Sequence, residues 1–155
     1  MKITLIAVGR VKGPLADAVH EYEERAARYW KLQAIEVDPG APRGQNDVEV
    51  VRQLEEERIL ARTPENADLV ALSRLGQPVG SRAFAAYLQD HALHSRDVTF
   101  VIGGAYGLGA RLLSQAWQLT LSPMTFPHEV ARMLLAEQLY RAGTILRGEP
   151  YHKGP

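Results

Sequence analysis

Apolar residues in this chain fall in two alternating arrangements: short unbroken runs, and sets spaced three or four apart with charges between them. The first suits a strand covered on both faces, the second an amphipathic helix. Lys2–Val8 reads as a buried strand ending at Gly9. Pro14 opens a helix whose apolar positions are Leu15, Val19, Tyr22, Ala26 and Tyr29, and Leu32–Val37 is a second strand. After the turn-rich stretch Asp38–Asn46, Asn46 or Asp47 caps a charged helix that reaches about Arg62, with Glu55, Glu56 and Glu57 on its solvated side. Leu69–Leu72 is a third strand and Leu75–Pro78 a turn, after which Ser81 caps a helix that uses Phe84, Leu88 and His91. Val98–Ile102 is the most clearly buried strand, and it runs directly into the glycine-rich segment Gly103–Gly109. Ala110–Ala116 is a short helix and Trp117–Leu121 a fifth strand.

The stretch that follows carries two prolines, Pro123 and Pro127, within five residues. Pro127 suits the first turn of a helix, where its missing N–H would have no partner, and Thr125 offers an N-cap just before it. The last helix fades near Gly143–Gly148 and leaves the tail Glu149–Pro155. Strand and helix therefore alternate throughout, which predicts an α/β fold with a mainly parallel sheet and helices on both faces. Ligands of such sheets bind beyond the carboxyl ends of the strands. Three loops lie at that edge: those after Leu72, after Ile102 and after Leu121. Taken singly, the proline loop reads first as a plain connection, and the glycines read equally as a tight turn.

Composition narrows the function classes. The chain of 155 residues has the length of one domain, with 18 basic and 18 acidic residues in balance, so net charge supplies no general attraction to nucleic acid or membrane. A local basic patch stays open, because 14 of the basic residues are arginine, the better phosphate fork. Without cysteine there is no disulfide, thiolate metal site or cysteine nucleophile. No targeting segment or membrane span is evident, and a cytoplasmic location is expected.

The glycines of Gly103, Gly104, Gly107 and Gly109 do not match the dinucleotide fingerprint, and no lysine–serine/threonine pair follows to make a phosphate loop. Hydrolase elbows, zinc-protease and calcium-loop patterns are absent as well. His91 and His94 stand three apart on a helix without an acidic or cysteine partner that completes a ligand set, so no metal is expected. His128 is placed beside the proline loop with Arg132 one turn on, and it reads either as a functional group or as a locally capped surface histidine. Arg141, Arg147, Tyr151, His152 and Lys153 form a modestly basic, aromatic edge of a kind that contacts phosphates and stacks on bases.

Several segments, in order and over nearly the full length, carry a resemblance: Ala7-Val-Gly9, Arg43-Gly44, Val101-Ile-Gly-Gly followed by Gly107-Leu108, Thr125-Phe-Pro-His128 with Arg132, Ala136–Ala142, and Pro150-Tyr-His-Lys153. The chain resembles the bacterial RlmH type of SPOUT methyltransferase. The resemblance implies a C-terminal trefoil knot, a homodimer, and S-adenosyl-L-methionine-dependent methylation of N3 of a pseudouridine in 23S rRNA; the near-zero net charge adds an expected preference for the assembled ribosome over naked RNA. It places the cofactor at Leu72, Gly103, Gly104 and the run Ser122, Pro123, Met124, Thr125, Phe126 and Pro127. His152, His128 and Arg132 become candidates for the chemistry, and Arg141, Tyr151 and Lys153 for RNA contact. Ser73, the Arg43 loop and Ala105-Tyr106 depart from the commoner pattern of that type. A non-catalytic ribosome-binding protein of the same fold is the alternative, while a Rossmann-like nucleotide enzyme is disfavoured by the missing fingerprint.

Overall fold

A computed structural model describes residues 1–155. Five strands and five helices alternate: β1 (Lys2–Val8), α1 (Leu15–Ala26), β2 (Lys31–Val37), α2 (Val48–Leu60), β3 (Ala67–Pro78), α3 (Ser81–Leu93), β4 (Asp97–Ile102), α4 (Ala110–Gln115), β5 (Trp117–Thr120) and α5 (His128–Leu146). They form one sheet in the order β2-β1-β4-β3-β5, and every strand pair is parallel. The expected α/β layering is therefore present. Period-two alternation along the strands sends successive residues to opposite faces. Ile3, Leu5, Phe100 and Ile102 meet Ala26 of α1, Leu88 of α3 and Leu135 and Leu139 of α5. Ile6, Val8 and Val101 point the other way, onto Ile59 of α2 and Leu112 of α4. Central strands need apolar residues on both faces, which is why β1 and β4 are unbroken apolar runs, whereas the edge strand β2 is largely exposed.

Four local expectations are corrected. Leu75–Pro78 is not a turn, because β3 continues to Pro78. Leu72 and Gln77 both pair with Leu119 of β5, so the residues between them bulge out of the ladder. Gly76 permits the return: a Cβ there would stand 2.7 Å from the backbone of Gln118 and Leu119. Ser81 does not cap α3; Gly80 holds the cap position, and the Ser81 hydroxyl donates to Gln138 of α5 at 2.7 Å. Pro127 occupies the cap of α5 itself, without a side-chain cap from Thr125. Glu55 and Glu56 are buried, and only Glu57 of that run faces solvent. Asp47 caps α2 as expected, accepting from the N–H groups of Glu49 and Val50.

The end of α1 is sewn to α5. Trp30 Nε1 donates to the Leu139 carbonyl at 2.8 Å, and the Tyr29 hydroxyl donates to Glu149. That carboxylate, with burial added, pushes the Tyr29 phenol up to about 12. The two segments meet so closely at Gly143 that a Cβ there would fall on the Tyr29 ring and 2.6 Å from its Cβ. Alanine in mid-helix gains about 1 kcal/mol over glycine, but overpacking costs about 1–3 kcal/mol, and a clash with atoms next to the backbone lies at the upper end. Gly143→Ala is therefore expected to destabilise the chain by about 1–2 kcal/mol in urea unfolding. A stabilised variant would show that the seam between α1 and α5 is loose.

Candidate functional site

All carboxyl ends of the parallel strands lie at one edge, and a cleft of about 860 Å³ opens there. Its walls are the β3 bulge from Leu72 to Leu75, the glycine loop from Ile102 to Leu108, and the proline loop from Thr120 to His128. Of the residues expected at a cofactor site, Leu72, Gly103, Gly104, Ser122, Met124, Thr125, Phe126 and Pro127 line this cleft; Pro123 does not. Sequence reasoning missed Arg52, Arg74, Leu75 and Tyr106 on the same walls. Leu75 fell within the expected turn and Arg74 just before it, while Arg52 sits on a charged helix that gave no signal of facing a site.

Both loops are tied internally. The Ser122 N–H donates to Thr120 Oγ1 at 3.1 Å, Thr120 Oγ1 donates to the Ser122 carbonyl at 2.7 Å, and the Met124 N–H donates to Ser122 Oγ at 3.1 Å. In the glycine loop the Gly107 N–H donates to the Gly104 carbonyl at 3.0 Å, and Arg52 Nε holds the Tyr106 carbonyl at 2.7 Å. The cleft has the size of a small-molecule site, and its lining combines apolar side chains with the backbone of several glycines. Its charged lining residues are Arg52 and Arg74 together with the titratable His128, and no carboxylate lines it. A ligand with a carboxylate end, or an anionic polymer across the mouth, fits that balance.

His128 begins α5 and lines the cleft. Its Nε2 lies 2.8 Å from Glu129 Oε2 and 3.3 Å from the Arg10 carbonyl, both acceptors. The network therefore assigns the proton to Nε2 and leaves Nδ1 with a lone pair. Gly9 makes the approach possible, since a Cβ there would stand 2.9 Å from His128 Nε2.

Arg132 is one turn further along, yet it does not reach the cleft. It is buried, donating from Nε to Glu23 at 2.6 Å and from Nη1 to Glu36 at 2.7 Å, and so joins α5 to α1 and β2. Burial opposes its charge, but the two carboxylates outweigh burial and raise its pKa. Burial likewise works to raise Glu36, and the Arg132 hydrogen bond, the Val11 N–H and the nearby arginine charges hold it below the usual carboxylate range.

The remaining candidates gather on the second half of α5. Arg141 Nη1 donates to His152 Nδ1 at 3.1 Å, which places the proton of neutral His152 on Nε2, a buried atom with no partner. Glu137 holds Arg141 from Nε at 3.0 Å and accepts from the Tyr151 hydroxyl at 3.0 Å; burial and this carboxylate push the Tyr151 phenol up. Arg141 also stacks 4.8 Å from the Tyr151 ring centroid, and Lys153 is exposed. Thirteen helical residues separate His128 from Arg141, about 20 Å at 1.5 Å per residue, so the two histidine centres do not share one cleft within a single chain. His91 does have an acidic partner, Asp68 at 2.9 Å, but no group of three His, Asp or Glu side chains is placed to hold a metal.

Comparison with known proteins follows the same lines. Residues 1–152 match the family model described as predicted SPOUT methyltransferase. The ribosomal RNA large subunit methyltransferase H of Gemmatimonas aurantiaca is 50% identical over 155 residues, covering 99% of this chain and 100% of that protein. The protein of the same name from Acetivibrio thermocellus is 43% identical over 159 residues, with 99% and 100% covered. Among solved structures, a probable methylase family protein from Haemophilus influenzae Rd KW20 superposes with a TM-score of 0.53 over 99% of this chain and 70% of that one, at 13% identity, which speaks to the fold alone.

The buried arginine gives a pH prediction. Glu36 has a depressed pKa in the folded chain, so its contribution is present above the ordinary value of 4.5 and is lost as pH falls through the folded value. Unfolding free energy is expected to drop more steeply below that value in the parent chain than in Glu36→Gln. Arg132→Ala, which leaves two carboxylates unpaired, is expected to cost about 3–5 kcal/mol. Identical acid profiles for parent and Glu36→Gln would contradict this pairing.

Proposed function

The chain belongs to the SPOUT methyltransferase family, and from that premise we propose that it transfers a methyl group from S-adenosyl-L-methionine to N3 of a pseudouridine in 23S rRNA of the assembled ribosome. The observation that carries this reading is the cleft at the carboxyl edge, walled by three loops and bordered by a histidine with a free Nδ1. Leu72, Gly103–Gly104 and the Ser122–Pro127 loop would hold the cofactor. The cofactor supplies a methyl carbon already activated by its sulfonium, so the protein's task is placement and proton handling.

A base N3 carries a proton at neutral pH, and that proton leaves as the nitrogen takes the methyl group. His128 Nδ1 is the acceptor, oriented by Glu129 and the Arg10 carbonyl through Nε2–H. The negative charge that builds on the ring is shared with the carbonyl oxygens flanking N3. His152, with Nδ1 engaged by Arg141, carries its proton on Nε2 and is a donor rather than a base; that N–H is buried within its own chain, so it stabilises the charge only once the tail has turned it outward. Because His152 is held by Arg141, whose place on α5 lies about 20 Å along the helix axis from His128, the reaction calls for a homodimer in which one copy's tail reaches the other's cleft. Arg141, Tyr151 and Lys153 then meet the RNA, and Arg132 positions α5. The C-terminal part of the chain would close as the trefoil knot of the family, and a ribosomal substrate implies a cytoplasmic protein. No helix is long and apolar enough to cross a membrane.

His128→Ala and His152→Ala are each expected to lower labelled-methyl transfer to unmethylated ribosomes by about 10²–10⁴-fold, with cofactor affinity by calorimetry little changed. Mixing the two variants should restore activity, because a mixed dimer contains one site with both histidines. Near-zero net charge further predicts preference for intact ribosomes over protein-free rRNA. Full turnover by either single variant would remove that histidine from the mechanism, and failure of the wild-type protein to bind S-adenosyl-L-methionine would refute the function.

A further inference from the structure

Helix α2 runs beneath the glycine loop, and three of its residues, at positions i, i+3 and i+4, each reach a different point of it. Arg52 holds the Tyr106 carbonyl at 2.7 Å. Glu56 accepts from the Leu112 N–H at 2.9 Å, supplying the cap that Gly109, at the start of α4, has no side chain to provide. Both contacts are ordinary matched hydrogen bonds. Glu55 is different.

Glu55 is only 4% exposed. Its Oε1 accepts from the Gly40 N–H at 2.8 Å, while its Oε2 is buried with no partner. That bare oxygen lies directly behind Gly104, where a Cβ would stand 2.9 Å from it. A buried polar atom without a partner is rare and costly, and an apolar side chain would serve better if the position only had to pack. The other oxygen is fixed as well. Arg58 Nη1 donates to the Asp38 carbonyl at 2.9 Å and to the Gly40 carbonyl at 2.7 Å, immobilising the loop from which the Gly40 N–H comes.

We propose that Glu55 is a positioning residue for the cofactor, setting the Gly103–Gly104 turn from behind and locking it to the loop after β2. The proposal rests on reading the cleft as the S-adenosyl-L-methionine site. Glu55 does not line the cleft, so it acts through Gly104, which does: the missing side chain lets the carboxylate press against the backbone from behind. With Glu55 shortened, the turn loses its backing and the loop after β2 loses its anchor. Hydrogen bonds from such a turn to a ligand weaken steeply once their distance and angle leave a narrow range, so a displaced turn binds less well.

The test uses full-length Glu55→Ala and Glu55→Gln, with Glu57→Ala, the exposed neighbour, as control. Amide hydrogen exchange at Gly107, whose N–H is held by the Gly104 carbonyl, reads the loop without cofactor, and calorimetry with S-adenosyl-L-methionine reads the site. Glu55→Ala is expected to speed exchange at Gly107 at least about tenfold while β4 amides stay protected, and to raise the cofactor Kd at least about tenfold. Glu55→Gln keeps the shape and the acceptor for Gly40, and should stay within about threefold on both measures; Glu57→Ala should match the parent. The proposal is overturned if Glu55→Ala leaves Gly107 exchange and Kd unchanged, if they change only in step with protection of the whole chain, or if Glu55→Gln is as impaired as Glu55→Ala. A parent protein that does not bind the cofactor would sink the functional reading instead, and Gly107 exchange would still decide the role of Glu55.

Discussion

Parallel pairing of all five strands is the constraint from which the rest follows. A parallel sheet sends every strand's carboxyl end to the same edge, and each crossover must return over a face. Loops from distant parts of the chain therefore converge: Gly9-Arg10 after β1, Gly40 after β2, the bulge within β3, the glycines after β4 and the prolines after β5. Side-chain contacts turn that convergence into a built wall. Gly9 accommodates the His128 ring, Arg52 holds Tyr106, and Glu55 joins Gly40 to Gly104.

Helix α5 carries three separate duties along its length. Leu135 and Leu139 bury against the sheet, while Arg132 fastens the helix to Glu23 and Glu36. Its first residue faces the cleft, and its second half carries the Glu137–Arg141–His152 chain of hydrogen bonds. Those ends are too far apart to serve one substrate from one chain. The separation is set by the helix, so the roles proposed for the two histidines and the proposed dimer stand or fall together.

Much of this was legible in the sequence, and the reasons for the rest are specific. Unbroken apolar runs marked β1 and β4 because both faces of each are covered, and the glycine and proline loops were placed at the right edge by the strands that precede them. The bulge in β3 was misread as a turn because Gly76 and Pro78 signal turns locally, while the pairing with β5 that keeps this segment extended is non-local. Glu55 and Glu56 looked solvated because a run of three acids on a helix usually is; their burial depends on the backbone N–H groups of Gly40 and of Leu112 in α4, which leave no trace in side-chain pattern. Arg132 was placed beside His128 correctly along the helix, but Glu23 and Glu36, which claim its guanidinium, lie on elements about a hundred residues away.

The central claim is that the cleft between the glycine and proline loops is where the methyl donor sits. A crystal structure of the protein with S-adenosyl-L-methionine tests it most directly. The account predicts cofactor density between Gly103–Gly104 and Ser122–Pro127, with His128 Nδ1 facing the space beyond the methyl group. Density instead in the smaller groove of about 280 Å³ between α3 and α5, lined by Phe84, Leu134 and Gln138, would contradict it.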